Sequence, residues 1–510
     1  MRTDKRGGIC FRVDDNKPIR QWVEFARVFD RHGFKFCAAL CPGRMAGDED
    51  YTRLVRSLQD RGHEIMDHTP LHSVDKLPLP QGADADAWRA MPGVDHVDAT
   101  RVYLTYAPIA AATLPEYRAD ISGNLMKSRT PGVLNDPNQT RFIAVCVPHI
   151  DSVFRFRQIE RSGDVVLALR SFWDEDNVDL GELRDVVFHK LSKADVRMTL
   201  DARVLLAESS LNLFESLGLD RPRTWIQPGS GGCSDFWRED VKACFGDLYG
   251  YVAAATYPDR SVKCFNEDDP NGDKRFGMQW GNFDDEARDL DWNLKRIADG
   301  IAGHRVLIGH SHFWEHVMPD GWDGYLKRVD RILSWCKENR VPVRTYSEWA
   351  EILYRTRPDP EVNVFPELSV DLNADGVPDG YDMLPAEVVR NDGGPDANGV
   401  FLTVRNAGAI CSVDRLGGLE KGANTFSVWT RGHPGGGIEA TFRFFEVETT
   451  QKHAFSTKSP EWTEQHATVT VPAGASLVNV TIECTRTGGS AIEIGGMRLK
   501  ARGEDPTFVR

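Results

Sequence analysis

The amino-acid sequence predicts an α/β fold, a distorted (β/α) barrel with a β-rich insertion, followed by an all-β sandwich. Three observations support this prediction. Segments with strand and helix periodicity alternate at the start of the chain, polar side chains follow the predicted strands, and short alternating segments with glycine-rich turns fill the C-terminal part. The 510 residues are enough for two or three domains.

Composition limits the class of protein. The chain is 41% hydrophobic and 27% charged, which is typical of a packed globular protein. Its formal net charge of -14 argues against a broad surface for nucleic acid or anionic lipid, so no nucleic-acid partner is expected. No apolar run approaches the ~18 residues that span a bilayer. The ten cysteines are expected to be mostly buried thiols, because apolar residues surround positions such as Cys37.

The first predicted strand, residues 8–13, ends in two carboxylates, Asp14 and Asp15. Apolar residues recur on one face of a helix predicted at 20–32, and a second strand follows at 34–40. In α/β folds the carboxyl ends of the strands carry the catalytic side chains. Both carboxylates are therefore candidate site residues.

A second polar segment follows the third predicted strand, residues 63–66, which a helix at 51–60 precedes. It contains His68 and His72, two imidazoles that can share one divalent metal ion, although such a pair also occurs by chance. Thr69-Pro70 suits a helix start and would place His72 in the first turn. Parallel strands would bring both histidines to the edge that holds the carboxylates.

Residues 11–15 (FRVDD) and 62–72 (GHEIMDHTPLH) together resemble the first two motifs of the polysaccharide deacetylases, the NodB-homology or carbohydrate esterase family 4 proteins. The resemblance implies a barrel of the NodB type, with Asp14 as general base and Asp15, His68 and His72 as ligands of a divalent metal ion. Zinc is implied by the family and the ligand types, and cobalt or nickel also suits two imidazoles and one carboxylate.

The third motif departs from the family pattern. Its best candidate, residues 225–230 (WIQPGS), follows an irregular and alternating stretch at roughly 83–179, interpreted as an insertion that walls one side of the cleft. Gln227 stands where the family commonly has an arginine, so Asp14 is expected to hold its proton more tightly than in a typical member. The Ser230 backbone amide is the candidate oxyanion donor. Helical spacing is predicted over 182–217.

Two later segments resemble the remaining motifs. Residues 289–292 (DLDW) are similar to the motif whose aspartate and tryptophan flank the catalytic histidine, and 306–310 (VLIGH) to the strand that ends in it. The resemblance implies that His310, kept charged by Asp291, is the general acid, with His312 and His316 as alternatives. Helices at 323–339 and 347–355 complete this domain, which is assigned to 1–357. The candidate substrate contacts are Trp225, Gln227, Trp292 and His312.

The composition changes after residue 357 to short strands and glycine-rich turns. Residues 358–390 are assigned as a linker and the start of a module, and 391–510 as a β-sandwich. The module resembles the galactose-binding-like jelly rolls that serve as carbohydrate-binding modules. Such modules are also frequently structural, so glycan binding and a structural role both stay open. Cys411 and Cys484 are candidates for a disulfide within it.

Residues 371–382 (DLNADGVPDGYD) have the ligand spacing of an EF-hand loop and predict a calcium site. An aspartate replaces the terminal glutamate, and the segment resembles the isolated calcium loops of secreted bacterial proteins. A solvated acidic turn is the alternative. Secretion or a cell-surface location is expected, with a leader absent from this numbering, and a cytosolic location is the alternative. The candidate ligands are Asp371, Asn373, Asp375, Val377, Asp379 and Asp382.

The resulting hypothesis is a metal-dependent deacetylase that hydrolyses N- or O-linked acetyl groups of a polysaccharide. Two alternatives remain open. A hydrolase of a different amide would share the same site, and a glycan-binding protein with an inactive catalytic domain is suggested by Gln227.

Overall fold

The structure of the protein is a computed structural model. The description covers residues 7–74, 76–108, 115–130, 142–147, 150–161, 164–170, 179–191, 196–226, 228, 248–249, 251–253, 262–264, 278–280, 287–303, 305–355, 364–383, 388–395, 399–416, 419, 422–444, 447–473, 475, 478–487 and 490–500.

Eight described strands form a curled, largely parallel sheet in the N-terminal domain. They are β1 (Gly7–Asp14), β2 (Cys37–Leu40), β3 (Glu64–Asp67), β15 (Thr224–Ile226), β16 (Tyr251–Ala253), β17 (Val262–Cys264), β18 (Met278–Trp280) and β19 (Arg305–Ser311). Their order is β17-β16-β15-β3-β2-β1-β19-β18, and the β16–β17 pair alone is antiparallel. Edge strands β17 and β18 do not pair with each other, so the described strands form a half-barrel instead of the closed barrel expected.

The helices of the described residues are α1 (Ile19–His32), α2 (Glu49–Asp60), α3 (Ala85–Arg89), α4 (Leu200–Ser216), α5 (Leu290–Ala302), α6 (Gly321–Glu338) and α7 (Tyr346–Arg355), with 3-10 turns at Pro42–Arg44 and Glu315–Val317. The four helices predicted around 20–32, 51–60, 323–339 and 347–355 are confirmed. Helix α1 ends at Gly33, whose φ of 74° allows a left-handed cap. Aromatic rings such as Phe25, Phe29 and Phe313 join α1 to the sheet and to α6. No described helix is long and apolar enough to cross a membrane.

A β-rich insertion separates β3 from α4. Its strands are β4 (Lys76–Pro78), β5 (Val94–Val97), β6 (Arg101–Leu104), β7 (Tyr106–Pro108), β8 (Tyr117–Ser122), β9 (Leu125–Ser128), β10 (Phe142–Val147), β11 (Ile150–Arg161), β12 (Asp164–Arg170), β13 (Glu182–Leu191) and β14 (Val196–Met198). Strands β4 to β6 form a three-stranded sheet, and β8 to β13 form a closed antiparallel barrel. Strand β7 pairs with β14, with Tyr106 opposite Met198.

The prediction of helix over 182–217 is wrong for its first half. Residues Glu182–Leu191 form β13, and helix begins only at Leu200. The reason is that burial alternates over 185–188 as in a β-strand. Val186 and Phe188 are buried in the core of the closed barrel, whereas Asp185, at the β-bulge, is exposed. Helix α4 begins with Thr199, whose side chain accepts a hydrogen bond from the Ala202 amide.

Two five-stranded antiparallel sheets form the C-terminal sandwich, which confirms the all-β prediction. The strands are β20 (Tyr381–Met383), β21 (Val388–Asp392), β22 (Val400–Val404), β23 (Gly408–Leu416), β24 (Gly422–Arg431), β25 (Gly437–Phe444), β26 (Thr449–Ser456), β27 (Thr463–Val471), β28 (Val478–Arg486) and β29 (Ile492–Lys500). Phe426 packs against Phe365, Phe442 and Phe455 at the centre of the core. Cys411 and Cys484 are free thiols, and they face Ile482 and Gly408 instead of each other, so the suggested disulfide is absent.

Candidate active site and metal centre

The three predicted metal ligands converge at the carboxyl ends of β1 and β3. The ligand atoms of Asp15, His68 and His72 all lie within 4.8 Å of one another. Nε2 of His72 lies 3.0 Å from Oδ1 of Asp15, and Nε2 of His68 lies 3.8 Å from the same oxygen. This arrangement places two imidazole nitrogens and one carboxylate oxygen around a common point.

Left-handed backbone at three residues directs these side chains. Asp15 has φ of 72°, Thr69 of 67° and His72 of 61°. Residues other than glycine rarely adopt this conformation, which costs on the order of 1–2 kcal/mol each and concentrates at functional sites. The predicted helix start at Thr69-Pro70 is wrong, because residues 70–71 form a turn instead. Thr69 Oγ1 accepts a hydrogen bond from the Ser73 amide at 3.0 Å and holds this turn.

His68 is held as a neutral imidazole. Its Nδ1 lies 3.1 Å from the carbonyl oxygen of Ile226 on β15, and a carbonyl only accepts, so Nδ1 carries the proton. Nε2 therefore presents a lone pair toward Asp15 and His72. Burial lowers the pKa of His68 to about 4. A buried imidazole fixed in this tautomer by a backbone carbonyl has the character of a metal ligand.

Asp15 divides its two oxygens between different partners. Oδ2 accepts a hydrogen bond from Lys17 Nζ at 3.0 Å, whereas Oδ1 is buried and receives no hydrogen bond of acceptable geometry from the described residues. Oδ1 is the oxygen that lies close to both imidazoles. Burial alone would raise the pKa of Asp15, but Lys17, His72 and His68 outweigh it and lower the pKa. A charged carboxylate beside two imidazoles fits a small divalent cation.

Arg12 holds the candidate base, Asp14. Nε of Arg12 donates to Oδ1 of Asp14 at 2.6 Å, and Nη2 donates to Oδ2 at 2.9 Å. This is a bidentate pair between two residues that are 1% and 4% exposed. The expectation that Asp14 lacks a fixed cation is therefore wrong, because β1 itself supplies one. The sequence contained the signal: residues i and i+2 of a strand lie on the same face.

A buried polar network supports the turn that carries the histidines. Asp67 is fully buried, and its Oδ1 accepts hydrogen bonds from Ser210 Oγ at 2.7 Å and the Thr69 amide at 2.8 Å. The Tyr249 hydroxyl donates to Oδ2. Burial raises the pKa of Asp67 to about 6 despite these donors. The network links β3 to α4 and fixes the start of the turn.

The other predicted site residues lie in different surroundings. Trp225 is fully buried in an apolar core that includes Leu206 and Leu211, so its side chain is not available to a substrate. Asp289 caps α5 by accepting a hydrogen bond from the Trp292 amide at 2.8 Å. Asp291 is exposed in the first turn of that helix.

Trp292 is 37% exposed, and the Arg288 guanidinium lies 5.0 Å from its ring centroid. His312 stacks on Trp314, with ring centroids 4.2 Å apart. Trp314 is 46% exposed just beyond the carboxyl end of β19, and the sequence alone did not single it out. Because β19 pairs in parallel with β1, Trp314 follows the strand end next to the one that carries Asp14 and Asp15.

Gln227, Ser230 and the side chain of His310 lie outside the described residues. The backbone of His310 is described, and it pairs with Arg12 across the parallel β1–β19 ladder. The candidate acid therefore belongs to the strand next to the candidate base.

Neither a protein-family model nor a curated protein sequence matches the chain. Solved structures that match part of the chain include a mutant of a CE4 family pseudoenzyme with restored enzymatic activity, which is 9% identical, with 68% of each chain covered and a TM-score of 0.30. The C-terminal family 22 carbohydrate-binding module of Clostridium thermocellum Xyn10B is 15% identical, with 29% of this chain and 98% of that chain covered and a TM-score of 0.22.

A Clostridium thermocellum xylanase fragment with a family 22 module and a GH10 module is 14% identical, with 26% of this chain covered and a TM-score of 0.21. The match spans 27% of that fragment. All three TM-scores and sequence identities are low.

Proposed function

We propose that the chain is a metal-dependent deacetylase that acts on an acetylated polysaccharide. The observation that carries the proposal is the cluster of Asp15, His68 and His72, with the buried Arg12–Asp14 pair on the adjoining strand end. Three protein ligands leave one position of a zinc ion open for water, and a separate carboxylate beside it can act as the general base of metal-assisted hydrolysis.

Asp15, His68 and His72 would hold the cation, and zinc suits this donor set. When bound, such a cation supplies Lewis acidity that makes a water molecule more acidic and polarises a carbonyl group. Asp14 accepts the proton of the attacking water, and two hydrogen bonds from Arg12 hold its carboxylate in place. Lys17 keeps Oδ2 of Asp15 occupied, which leaves Oδ1 for the cation.

The general acid and the oxyanion donor are assigned from the sequence segments at 306–310 and 225–230, which resemble deacetylase motifs. His310, on the strand adjacent to β1, would protonate the leaving amine or alcohol, with Asp291 as its proposed partner. The backbone amide of Ser230 would donate a hydrogen bond to the oxyanion. The His312–Trp314 pair would stack against a sugar ring, and the C-terminal sandwich would bind the same polymer.

The test measures acetate release from acetylated oligosaccharides by the zinc-loaded protein and by the chelator-treated protein. We expect activity that chelation removes and zinc restores. Asp14→Asn should keep stoichiometric zinc and lose turnover by roughly a hundredfold or more. His68→Ala should lose both zinc and turnover.

His466→Ala, in the C-terminal sandwich, is the matched control and should change neither zinc content nor turnover. Zinc binding without acetate release would contradict the deacetylase proposal and would favour a glycan-binding protein with an inactive catalytic domain. Acetate release that chelation does not affect would overturn the metal-dependent mechanism.

A further inference from the structure

The segment Cys41–Arg44 leaves the sheet between the two strand ends that carry the metal cluster. It follows β2, which pairs with β1 on one side and with β3 on the other. Its last three residues form a 3-10 turn. The segment, which we call the β2 turn, supplies none of the three ligand atoms of Asp15, His68 and His72.

Cys41 joins the chain beside Asp15 to the chain at the two histidines. Its amide donates to Oδ1 of Asn16, the residue after Asp15, at 2.9 Å. Its fully buried thiol donates to the carbonyl oxygen of His68, with 3.5 Å between sulfur and oxygen. Burial raises the pKa of this thiol, and the backbone amide of His72, which faces the sulfur, lowers it in part. One residue therefore links the two turns that hold the cluster.

The other end of the β2 turn packs against the middle of the histidine turn. Nη2 of Arg44 donates to the carbonyl oxygen of Leu71 at 3.2 Å. A Cβ added at Gly43 would stand 2.7 Å from the carbonyl oxygen of Pro70. Because this oxygen belongs to the backbone, the histidine turn itself would have to move, so the close approach requires glycine.

The histidine turn depends on its surroundings because its backbone is strained. Thr69 has φ of 67° and His72 has φ of 61°. Residues in this region persist when the surrounding structure fixes them. The β2 turn contacts the strained stretch at His68, at Leu71 and at His72, which is at both ends and in the middle.

We propose that the β2 turn positions the metal ligands, with Cys41 and Gly43 as positioning residues. This inference rests on the proposed function, because it takes Asp15, His68 and His72 as the ligands of a divalent cation. Cys41 sets the spacing between the carboxylate and the two imidazoles. Gly43 lets the histidine turn lie against the β2 turn. A change at either residue displaces ligand atoms without removing one.

The experiment uses the full-length protein and has two readouts. Competition with a chromophoric chelator gives the Kd for zinc, and the visible absorption spectrum of the cobalt-substituted protein reports ligand geometry. Cys41→Ala and Gly43→Ala should each raise this Kd by roughly tenfold or more, since supporting residues of metal sites contribute about 10–100-fold. Both variants should also change the cobalt spectrum.

Each variant has a control that makes the same chemical change away from the cluster. Cys336→Ala removes an equally buried thiol from α6. Gly47→Ala adds a methyl group where φ is 84° and no described atom beyond its chain neighbours lies within 4 Å. Both controls should lose some stability and keep the parent Kd and cobalt spectrum.

The outcomes separate this inference from the proposed function. Parent-like Kd and cobalt spectrum in Cys41→Ala and Gly43→Ala, with a parent that binds zinc, would overturn the inference and leave the proposed function standing. Equal losses of affinity in the variants and their controls would also overturn it, because general destabilisation would explain them. A parent that binds neither zinc nor cobalt would overturn both.

Discussion

The guanidinium of Arg12 donates hydrogen bonds to both carboxylate oxygens of Asp14, which lies two residues later on the same strand. The resemblance in the sequence led to the expectation of a cation in the third motif, where this chain has Gln227. The structure instead has the cationic partner of Asp14 on β1. The proposed base and its arginine partner therefore belong to one short strand.

Replacement of Arg12 tests this relationship. Arg12→Gln leaves a buried carboxylate without its cation, which should destabilise the protein by about 3 kcal/mol and move the acid limb of the pH–rate profile to higher pH. Denaturant unfolding and kcat/KM from pH 5 to 9 measure the two effects. The control is Arg20→Gln, since the Arg20 side chain is 74% exposed in its pair with Glu24. An unshifted pH profile in Arg12→Gln would contradict the assignment of Asp14 as the base.

Lys17 is expected to act on metal affinity. Lys17→Met removes the partner of Asp15 Oδ2 and one of the charges that lower the pKa of Asp15. The Kd for zinc should rise by roughly tenfold, since supporting residues of metal sites typically contribute 10–100-fold. A competition assay with a chromophoric chelator measures this Kd, with the exposed Lys452→Met as control. Unchanged zinc affinity with a raised KM would assign Lys17 to substrate binding instead.

Asp67 gives a pH dependence of stability with a defined sign. Because its pKa in the folded protein is raised from 3.8 to about 6, its contribution to stability is complete below pH ~4 and is lost as pH rises through about 6. Asp67→Asn lacks this titration. The free energy of unfolding of the variant relative to the parent should therefore increase by up to about 3 kcal/mol from pH 4 to 7. A difference that stays constant over this range would show that Asp67 does not titrate as described.

Phe426 tests whether the C-terminal sandwich folds on its own core. Phe426→Ala leaves a cavity between Phe365, Phe442 and Phe455 and should cost about 3–5 kcal/mol. Because the sandwich core and the N-terminal core are separate clusters, zinc content should stay at the parent value. Thermal unfolding and metal analysis report the two quantities. Loss of zinc in this variant would indicate that the N-terminal domain depends on the sandwich.

Local sequence was sufficient to predict the residues that converge at the site. Asp14, Asp15, His68 and His72 all follow predicted parallel strands, and the ends of such strands meet at one edge of a sheet. Periodicity also placed α1, α2, α6 and α7 to within a few residues. These features depend on short stretches of chain, which is why one sequence reveals them.

Features that depend on distant partners were missed. The turn at 69–72 is held by Asp67 together with Ser210 and Tyr249, which are far away in sequence. The closed barrel of the insertion depends on the pairing of β8 with β13, and alternation within either strand does not show it. The hydrogen bond from the Gly380 amide to Asp299 was not predicted for the same reason, because the two residues are 81 positions apart in the sequence.

The β7–β14 pair has a consequence for how this protein could change. The two strands run side by side, with Pro108 opposite Val196, and the six-stranded barrel lies between them in the sequence. The chain therefore enters the barrel from β7 and leaves it into β14, and these two strands are paired with each other. A deletion variant in which a tight turn joins Pro108 to Val196 would lack the barrel, and β3 and α4 would keep their positions in the fold. Such attachment would let the barrel be removed or exchanged while the strands that lead to Asp15, His68 and His72 keep their pairing.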